Sequence, residues 1–191
     1  MTTQVLDLEK YYTPHWGQKN VHASDARVKI LKIGRRWGKG RFSLWEMIRR
    51  YIESLETPRD SSLIPSWHCW IVCPSYPQAR QVWNELITFL NPLPYCTAAD
   101  MHQDERMIYL RGGEDGQWGL IEVKSAHLVD GLQTTGLDFL WMQESQDIAD
   151  TAFEKVLPAT RSPGRSGYAV FAGIPSMYSS HWFERTFRAA Q

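Results

Sequence analysis

Residues 28–40 carry the sequence VKILKIGRRWGKG, the most informative segment of the chain. Residues 28–33 are largely apolar and β-branched, and they predict a strand that ends at Gly34. Apolar side chains then recur at helical spacing between residues 41 and 55. A turn that contains glycine and lysine, placed between a strand and a helix, is typical of a phosphate-binding loop. In such a loop, backbone N–H groups at the helix start hold phosphates, and the lysine reaches the terminal ones.

The glycine–lysine pair of this motif falls at Gly38 and Lys39. Gly34 lets the chain turn out of the strand, and Arg35 and Arg36 place positive charge where phosphates would collect. The pattern favours a phosphate-binding loop. The alternative is a basic strand-to-helix turn that binds no ligand.

Two positions of the loop depart from the usual motif. Ile33 lies where the first glycine is usual, one residue before Gly34. Gly40 follows the lysine, at the position where a Ser or Thr normally holds Mg²⁺. Ser43 lies almost a full helical turn further on, so the loop offers no hydroxyl at the usual metal position.

A second signal is DFLWMQES at residues 138–145, an apolar strand that ends in an amide and an acid. In ATPases with this arrangement, an Asp at the strand end orients Mg²⁺, and the Glu after it polarises the attacking water. Glu144 stands at the position of that Glu, whereas Gln143 replaces the Asp and brings no negative charge. The alternative for Glu144 is a strand-end acid that only faces solvent.

The rest of the chain alternates between short apolar runs and longer helical stretches. Ser75 and Gln78 have the spacing of a capping box at the start of one helix. Strands separated by helices predict an α/β fold with a largely parallel central sheet flanked by helices. Two strands around the GGEDG turn at residues 112–116 predict a local antiparallel hairpin. The further predicted strands are residues 67–73, 106–110, 120–123, 138–142 and 168–172, and the further helices are 75–90, 152–157 and 181–190.

The composition is that of one globular domain. With 191 residues, 43% of them hydrophobic, the chain can bury a substantial core. Lys and Arg number 21, as do Asp and Glu, which argues against coating nucleic acid by charge alone. Cys69, Cys73 and Cys96 form neither a paired framework nor a zinc spacing, so we expect buried thiols. No segment predicts a signal peptide or a membrane span, and we expect no membrane partner.

In their order along the chain, these features resemble the N-terminal ATPase domain of phage terminase large subunits. The resemblance covers nearly the whole chain and begins with YYTPHWGQKNVHASDARVKILKIGRRWGKG at residues 11–40. It implies a P-loop NTPase fold of the ASCE type, with one ATPase domain over residues 1–191. Residues 1–27 would form an adenine-recognition segment that leads into the core. The nuclease domain of these proteins is expected to lie outside this chain.

The resemblance also implies roles for residues before the loop. Gln18 matches the glutamine that recognises the adenine edge. Tyr11, Tyr12, His15 or Trp16 would pack on the base.

Around the phosphates, the resemblance makes Lys39 the contact to the β- and γ-phosphates, Arg35 the γ-phosphate sensor and Glu144 the catalytic carboxylate. Arg161 or Arg165, in the loop ATRSPGRSG, would be presented to the ATP of a neighbouring subunit. The stretch FAGIPS is similar to the family's coupling motif, which places Gly173, Ile174, Pro175 and Ser176 near the γ-phosphate. The implied ATP-binding residues are Gln18, Gly34, Arg35, Arg36, Trp37, Gly38, Lys39 and Gly40, with Gln143 and Gly40 at a weakened Mg²⁺ site.

The function implied is a motor that couples ATP hydrolysis to the movement of DNA into a procapsid. Its cofactors would be ATP and Mg²⁺. Its partners would be double-stranded DNA, a portal ring, a small terminase subunit and further copies of itself in a ring, in the cytoplasm of an infected bacterial host. Gly40 and Gln143 keep open a second hypothesis, a nucleotide-binding assembly module without turnover. A third is another P-loop translocase of the helicase-like kind.

Overall fold

The computed structural model describes residues 12–57, 60, 62–112, 118–128, 132 and 136–191. The strands are β1 (Val28–Lys32), β2 (Trp67–Cys73), β3 (Met101–His102), β4 (Met107–Arg111), β5 (Trp118–Ser125), β6 (Phe139–Gln143) and β7 (Tyr168–Gly173). The helices are α1 (Trp16–His22), α2 (Lys39–Leu55), α3 (Tyr76–Leu90), α4 (Asp150–Val156) and α5 (Trp182–Ala189). Short 3₁₀ turns lie at Ala98–Asp100, Ser145–Asp147 and Leu157–Arg161.

A seven-stranded sheet in the order β1-β7-β6-β2-β5-β4-β3 forms the centre of the molecule. Strands β1, β7, β6, β2 and β5 run parallel, and β4 and β3 continue the sheet antiparallel. The predicted α/β fold and its antiparallel addition are confirmed. In that hairpin Met107 lies opposite Glu122, whereas turn residues 113–117 lie outside the described residues.

Helices cover both faces of the sheet, because strand side chains alternate between two buried layers. On β2, Cys69 and Ile71 pack in one layer with apolar residues of α2 and α3. Trp70 and Val72, on the same strand, pack in the other layer with residues of α4 and α5. Every residue of β2 is therefore buried, which explains why its sequence WHCWIVC predicts the strand from end to end.

The predicted capping box at Ser75 is wrong. The Ser75 hydroxyl donates to Gln78 Oε1 at 2.7 Å, and no side chain caps the start of α3. Because Pro77 has no backbone N–H, one donor that a cap would satisfy is missing from this turn. A capping box instead begins α1, where His15 caps the helix and Gln18 accepts from the His15 N–H at 3.1 Å. The sequence patterns missed α1.

The three cysteines are free and buried, as predicted. Burial raises the pKa of the Cys73 thiol to about 12 and that of Cys96 to about 11. Both thiols therefore stay protonated and unreactive at neutral pH. Within the described ranges, no helix is both long enough and apolar enough to cross a membrane.

A buried polar cluster on β2 and β5 makes stability depend on pH. Glu122 is hydrogen-bonded to His68 Nε2 at 2.8 Å and to Trp70 Nε1 at 2.5 Å, and it pairs with Lys124. Burial alone would raise the pKa of the Glu122 carboxyl, but hydrogen bonds from His68, Lys124 and Trp70 lower it to about 2.

We expect Glu122→Gln to lower the free energy of unfolding at pH 7, by on the order of 2 kcal/mol. The folded-state pKa of Glu122, about 2, lies below the ordinary 4.5. The contribution of the ionised Glu122 to the free energy of unfolding is therefore complete well above pH 4.5 and is lost as the pH falls towards 2. Urea unfolding at pH 7 and pH 3 measures the free energy of unfolding of each variant, and Glu105→Gln, at an exposed position, is the control. A stability difference between wild type and Glu122→Gln that stays constant over this pH range would contradict the prediction.

Candidate nucleotide-binding site

The loop between β1 and α2 presents the start of a long helix at the carboxyl edge of the parallel strands. Arg36 and Gly38 have positive φ angles of 64° and 85°, which turn the chain sharply into α2. Gly38 is the N-cap of α2, with no side-chain cap and no acidic residue in the first turn. The first backbone N–H groups of α2 and its positive dipole end therefore remain suited to bind an anion.

The Lys39 ammonium is held inside this loop. It donates to Ile33 O at 3.0 Å and to Gly34 O at 3.1 Å, and the residue is only 7% exposed. Burial lowers the pKa of Lys39; the Glu144 carboxylate acts in the opposite direction, and Arg35 lowers the pKa further. Glu144 and Lys39 therefore interact electrostatically, although the two residues lie far apart in the sequence.

The end of β6 holds Glu144 in an unusual backbone conformation. Its φ is 48°, a left-handed value that few non-glycine residues adopt and that recurs at functional sites. The Gln146 amide donates to Glu144 Oε2 and to Asp147 Oδ2, both at 2.9 Å. The first of these bonds orients the Glu144 carboxylate.

The other end of the Gln146 side chain bonds to the segment after β7. Its Oε1 accepts from the Ile174 N–H at 3.0 Å. A Cβ on Gly173 would lie only 2.5 Å from the same Oε1, so glycine at this position makes the contact possible. Gln146 therefore joins Glu144 directly to the predicted coupling segment 173–176.

Arg35 of the loop, the end of β6 and the segment after β7 border one cleft of about 340 Å³, whereas Lys39 and the start of α2 are not among the residues that line it. Arg35, Gln143 and Glu144, all singled out in the sequence, lie on its walls together with Ile174 of the coupling segment. The remaining wall comes from α3 and from the turn after β6. The further residues that line the cleft are Gln78, Gln81, Val82, Glu85, Gln146 and Asp147.

The cleft offers oxygen ligands that suit Mg²⁺ only in combination with phosphates. Among the residues that the structure describes, no group of at least three His, Cys, Asp or Glu side chains could hold a metal alone. Gln143 Oε1 is buried and has no hydrogen-bond partner, so one oxygen is left to accept from a further group. The carboxylates of Glu85, Glu144 and Asp147 stand around the same space. Hard oxygens of this kind are what Mg²⁺ prefers, so the donor set fits the metal when a nucleotide completes it.

Gln18 lies against the phosphate loop. It is 4% exposed, and its amide donates to Trp37 O at 3.2 Å and to Gly38 O at 3.4 Å. A Cβ on Gly38 would lie 2.7 Å from the Gln18 amide nitrogen. Gln18 therefore supports the loop, and recognition of adenine would require it to exchange these bonds.

The aromatic residues before the loop have different surroundings. Tyr12 is buried against Trp45, with ring centroids 5.1 Å apart, which leaves His15 and Trp16 as the described candidates to pack on a base. Trp16 is 79% exposed, and the His15 ring packs edge-on against Trp37. Tyr11 lies outside the described residues.

The two candidate trans arginines lie near the opposite edge of the sheet. Arg165 precedes β7, and its guanidinium bonds to Asp138 at 2.9 Å and to Pro65 O at 2.8 Å. Its side chain is only 3% exposed, which contradicts the expectation that it is free to reach another subunit. Arg161 is exposed.

Comparison with known proteins agrees with this architecture. No protein-family profile matches the chain. The terminase large subunit of Thermus virus P23-45 is 23% identical in an alignment 188 residues long that covers 92% of this chain and 36% of that protein. The chain thus spans about a third of the length of this relative.

Solved structures show the same fold. The large terminase ATPase domain of Thermus phage P74-26 is similar with a TM-score of 0.73 and 20% identity, over 94% of this chain and 72% of that one. The fold is that of a large terminase ATPase domain. The large terminase of a thermophilic bacteriophage, in complex with ATP-gamma-S, is similar with a TM-score of 0.67 and 12% identity, over 93% of this chain and 42% of that one.

Gln146 and Glu85 are two of the cleft residues of this terminase ATPase fold that the sequence did not indicate as functional. Gln146 lies two positions after Glu144, and that proximity was the available signal. Glu85 lies on the polar side of α3, where nothing in the local pattern distinguishes it from a solvated acid.

We expect Gln146→Ala to reduce ATP hydrolysis roughly 10-fold while nucleotide affinity stays within about twofold, because the variant frees Glu144 without touching the phosphate loop. Phosphate release and equilibrium binding measure the two effects. Gln103→Ala, an exposed glutamine near the antiparallel edge, is the matched control. Unchanged hydrolysis in Gln146→Ala would show that Glu144 does not depend on this bond.

Proposed function

We propose that this chain is the ATP-hydrolysing motor domain of a terminase large subunit, which moves double-stranded DNA into a procapsid. The observation that carries the proposal is the convergence of Arg35, from the loop after β1, and Glu144, from the end of β6, on one cleft. Strands β1 and β6 are separated in the sheet only by β7. The tertiary fold therefore brings Arg35 and Glu144 to the same cleft, although they are far apart in the sequence. Similarity to terminase large subunits and their ATPase domains supports the same proposal.

Nucleotide binding would use the loop and the start of α2. Backbone N–H groups after Gly38 hold phosphate oxygens, and Lys39 exchanges its carbonyl partners for the β- and γ-phosphates. Gly34, Arg36, Trp37 and Gly40 complete the loop around them.

Hydrolysis would use the opposite wall of the cleft. Glu144 polarises the attacking water, held in direction by Gln146. Arg35 stabilises the charge that develops on the γ-phosphate. When bound with the nucleotide, Mg²⁺ neutralises charge on the phosphates.

Coupling would pass from Glu144 through Gln146 to residues 173–176. From there, the Ser176 N–H donates to Glu184 of α5 at 2.7 Å, and Glu184 also bonds to Lys32 at the end of β1 at 2.9 Å. A change at the γ-phosphate would therefore have a route to α5 through these hydrogen bonds and the backbone from Ile174 to Ser176. Pro175 stiffens the segment, because its ring fixes φ.

The partners in this proposal are DNA, a portal ring, a small terminase subunit and further copies of the chain in a ring, within the host cytoplasm. Residues 1–191 would be the ATPase domain, with residues 1–27 as its adenine-recognition segment. Arg161, exposed, is the candidate to enter a neighbour's site.

The test is Mg²⁺-dependent ATP binding and hydrolysis by the purified chain, alone and then with procapsids that carry portals and with double-stranded DNA. We expect binding and slow hydrolysis alone, and faster hydrolysis with DNA protected from nuclease when procapsids are present. An absence of ATP binding would refute the nucleotide site. Separation of DNA strands without encapsidation would favour a helicase-like translocase.

A second candidate, a nucleotide-binding assembly module without turnover, is favoured by Gly40 and Gln143, which lack the usual metal-holding groups. It predicts ATP binding without hydrolysis under every condition above, and hydrolysis gained in a Gly40→Thr plus Gln143→Asp double variant.

A further inference from the structure

Glu85 on α3 borders the cleft and lies beside the start of α2. A Cβ built on Gly40 would lie 3.7 Å from Glu85 Oε2. A hydroxyl at position 40 would therefore project into space that this carboxylate borders. Glu85 Oε1 accepts from the Gln81 amide at 3.1 Å, and Oε2 has no hydrogen-bond or ion-pair partner among the described residues.

The other two carboxylates on the cleft, like Glu85, each have one hydrogen-bonded oxygen. Glu144 and Asp147 both accept from the Gln146 amide. Gln143 contributes a neutral oxygen, which is buried and unpartnered. Of the three described acids that line the cleft, only Glu85 has an oxygen within 4 Å of a Cβ built on Gly40, and that oxygen has no partner among the described residues.

We propose that Glu85 supplies the carboxylate for the Mg²⁺ that accompanies the bound nucleotide, an inference that rests on the proposed function. The negative charge missing at Gln143 is restored from α3, and the oxygen missing at Gly40 is replaced from the same helix. Gln143 Oε1, which has no partner in the described part of the chain, would be free to accept a hydrogen bond from water at this site. The site thus keeps its charge and its oxygen donors, although both usual positions have changed.

The experiment is a Mg²⁺ titration of fluorescent ADP binding to the full chain, in wild type, Glu85→Gln and the control Glu154→Gln on the opposite face of the sheet. In wild type and in the control, we expect Mg²⁺ to tighten ADP binding about 10-fold. In Glu85→Gln this enhancement should fall to about twofold or less, while metal-free affinity stays equal or becomes tighter. Mn²⁺ electron paramagnetic resonance reports the same loss directly as free rather than bound Mn²⁺.

A second variant separates metal binding from a general effect on the cleft. Gly40→Thr in the Glu85→Gln background should restore the enhancement, because its hydroxyl returns an oxygen to the same space. Equal enhancement in wild type and Glu85→Gln overturns the proposal, as does a loss of metal-free binding in Glu85→Gln. Failure of wild type to bind ADP with or without Mg²⁺ would instead refute the proposed function, and this inference with it.

Discussion

Replacement of Glu144 by Gln is expected to lower ATP turnover by at least about 100-fold, since a general base contributes roughly 10²–10⁴-fold to such reactions. The amide cannot accept a proton from water, but it keeps the shape of the side chain and can still accept from the Gln146 amide. ATP affinity should therefore stay within about threefold, and the loss should appear in kcat. Steady-state phosphate release and equilibrium binding of ATP separate these quantities.

Asp147→Asn is the matched control for this prediction. Asp147 lies on the same short turn, borders the same cleft and accepts from the same Gln146 amide. If charge in the cleft were all that mattered, both variants would lose activity to the same extent. We expect Asp147→Asn to change turnover by less than about threefold; equal losses would contradict the role of Glu144 as base.

Replacement of Lys39 by Ala is expected to weaken ATP binding about 100-fold. Charge-assisted hydrogen bonds to phosphate contribute about 1.5–3 kcal/mol each, and about 2.7 kcal/mol corresponds to roughly 100-fold in affinity. Lys39→Arg should not restore binding, because the planar guanidinium cannot fit the bonds to Ile33 O and Gly34 O that position the smaller ammonium. Isothermal titration with ATP measures the loss.

Lys155→Ala provides the control, because Lys155 is an exposed lysine on α4, outside the phosphate loop and the segment before it. It should bind ATP as wild type does. The wild-type affinity should also fall as the pH rises, earlier than for an ordinary lysine, because burial lowers the pKa of Lys39. Similar losses in both lysine variants, or full affinity in Lys39→Ala, would remove Lys39 from the site.

Local sequence patterns predicted most of the secondary structure, with limits that have physical causes. β2 agrees at both ends because all its residues are buried. α1 was missed because Gly17 and polar residues occupy most of a helix of seven residues, which leaves no apolar stripe. The capping prediction at Ser75 failed because two side chains that could bond the backbone bond each other instead.

The sequence by itself determined the strand–loop–helix unit, the lysine at position 39 and the acid at position 144. Those features depend on hydrophobic periodicity and on residue types within short segments. Such local patterns can be recognised without knowledge of tertiary contacts. Tertiary structure alone decided which distant groups meet. The sheet order brings the loop after β1 towards the end of β6, sets Glu85 beside Gly40, and places Gln146 between Glu144 and Ile174. The tertiary structure also pairs the buried Arg165 with Asp138, because a buried carboxylate requires a partner.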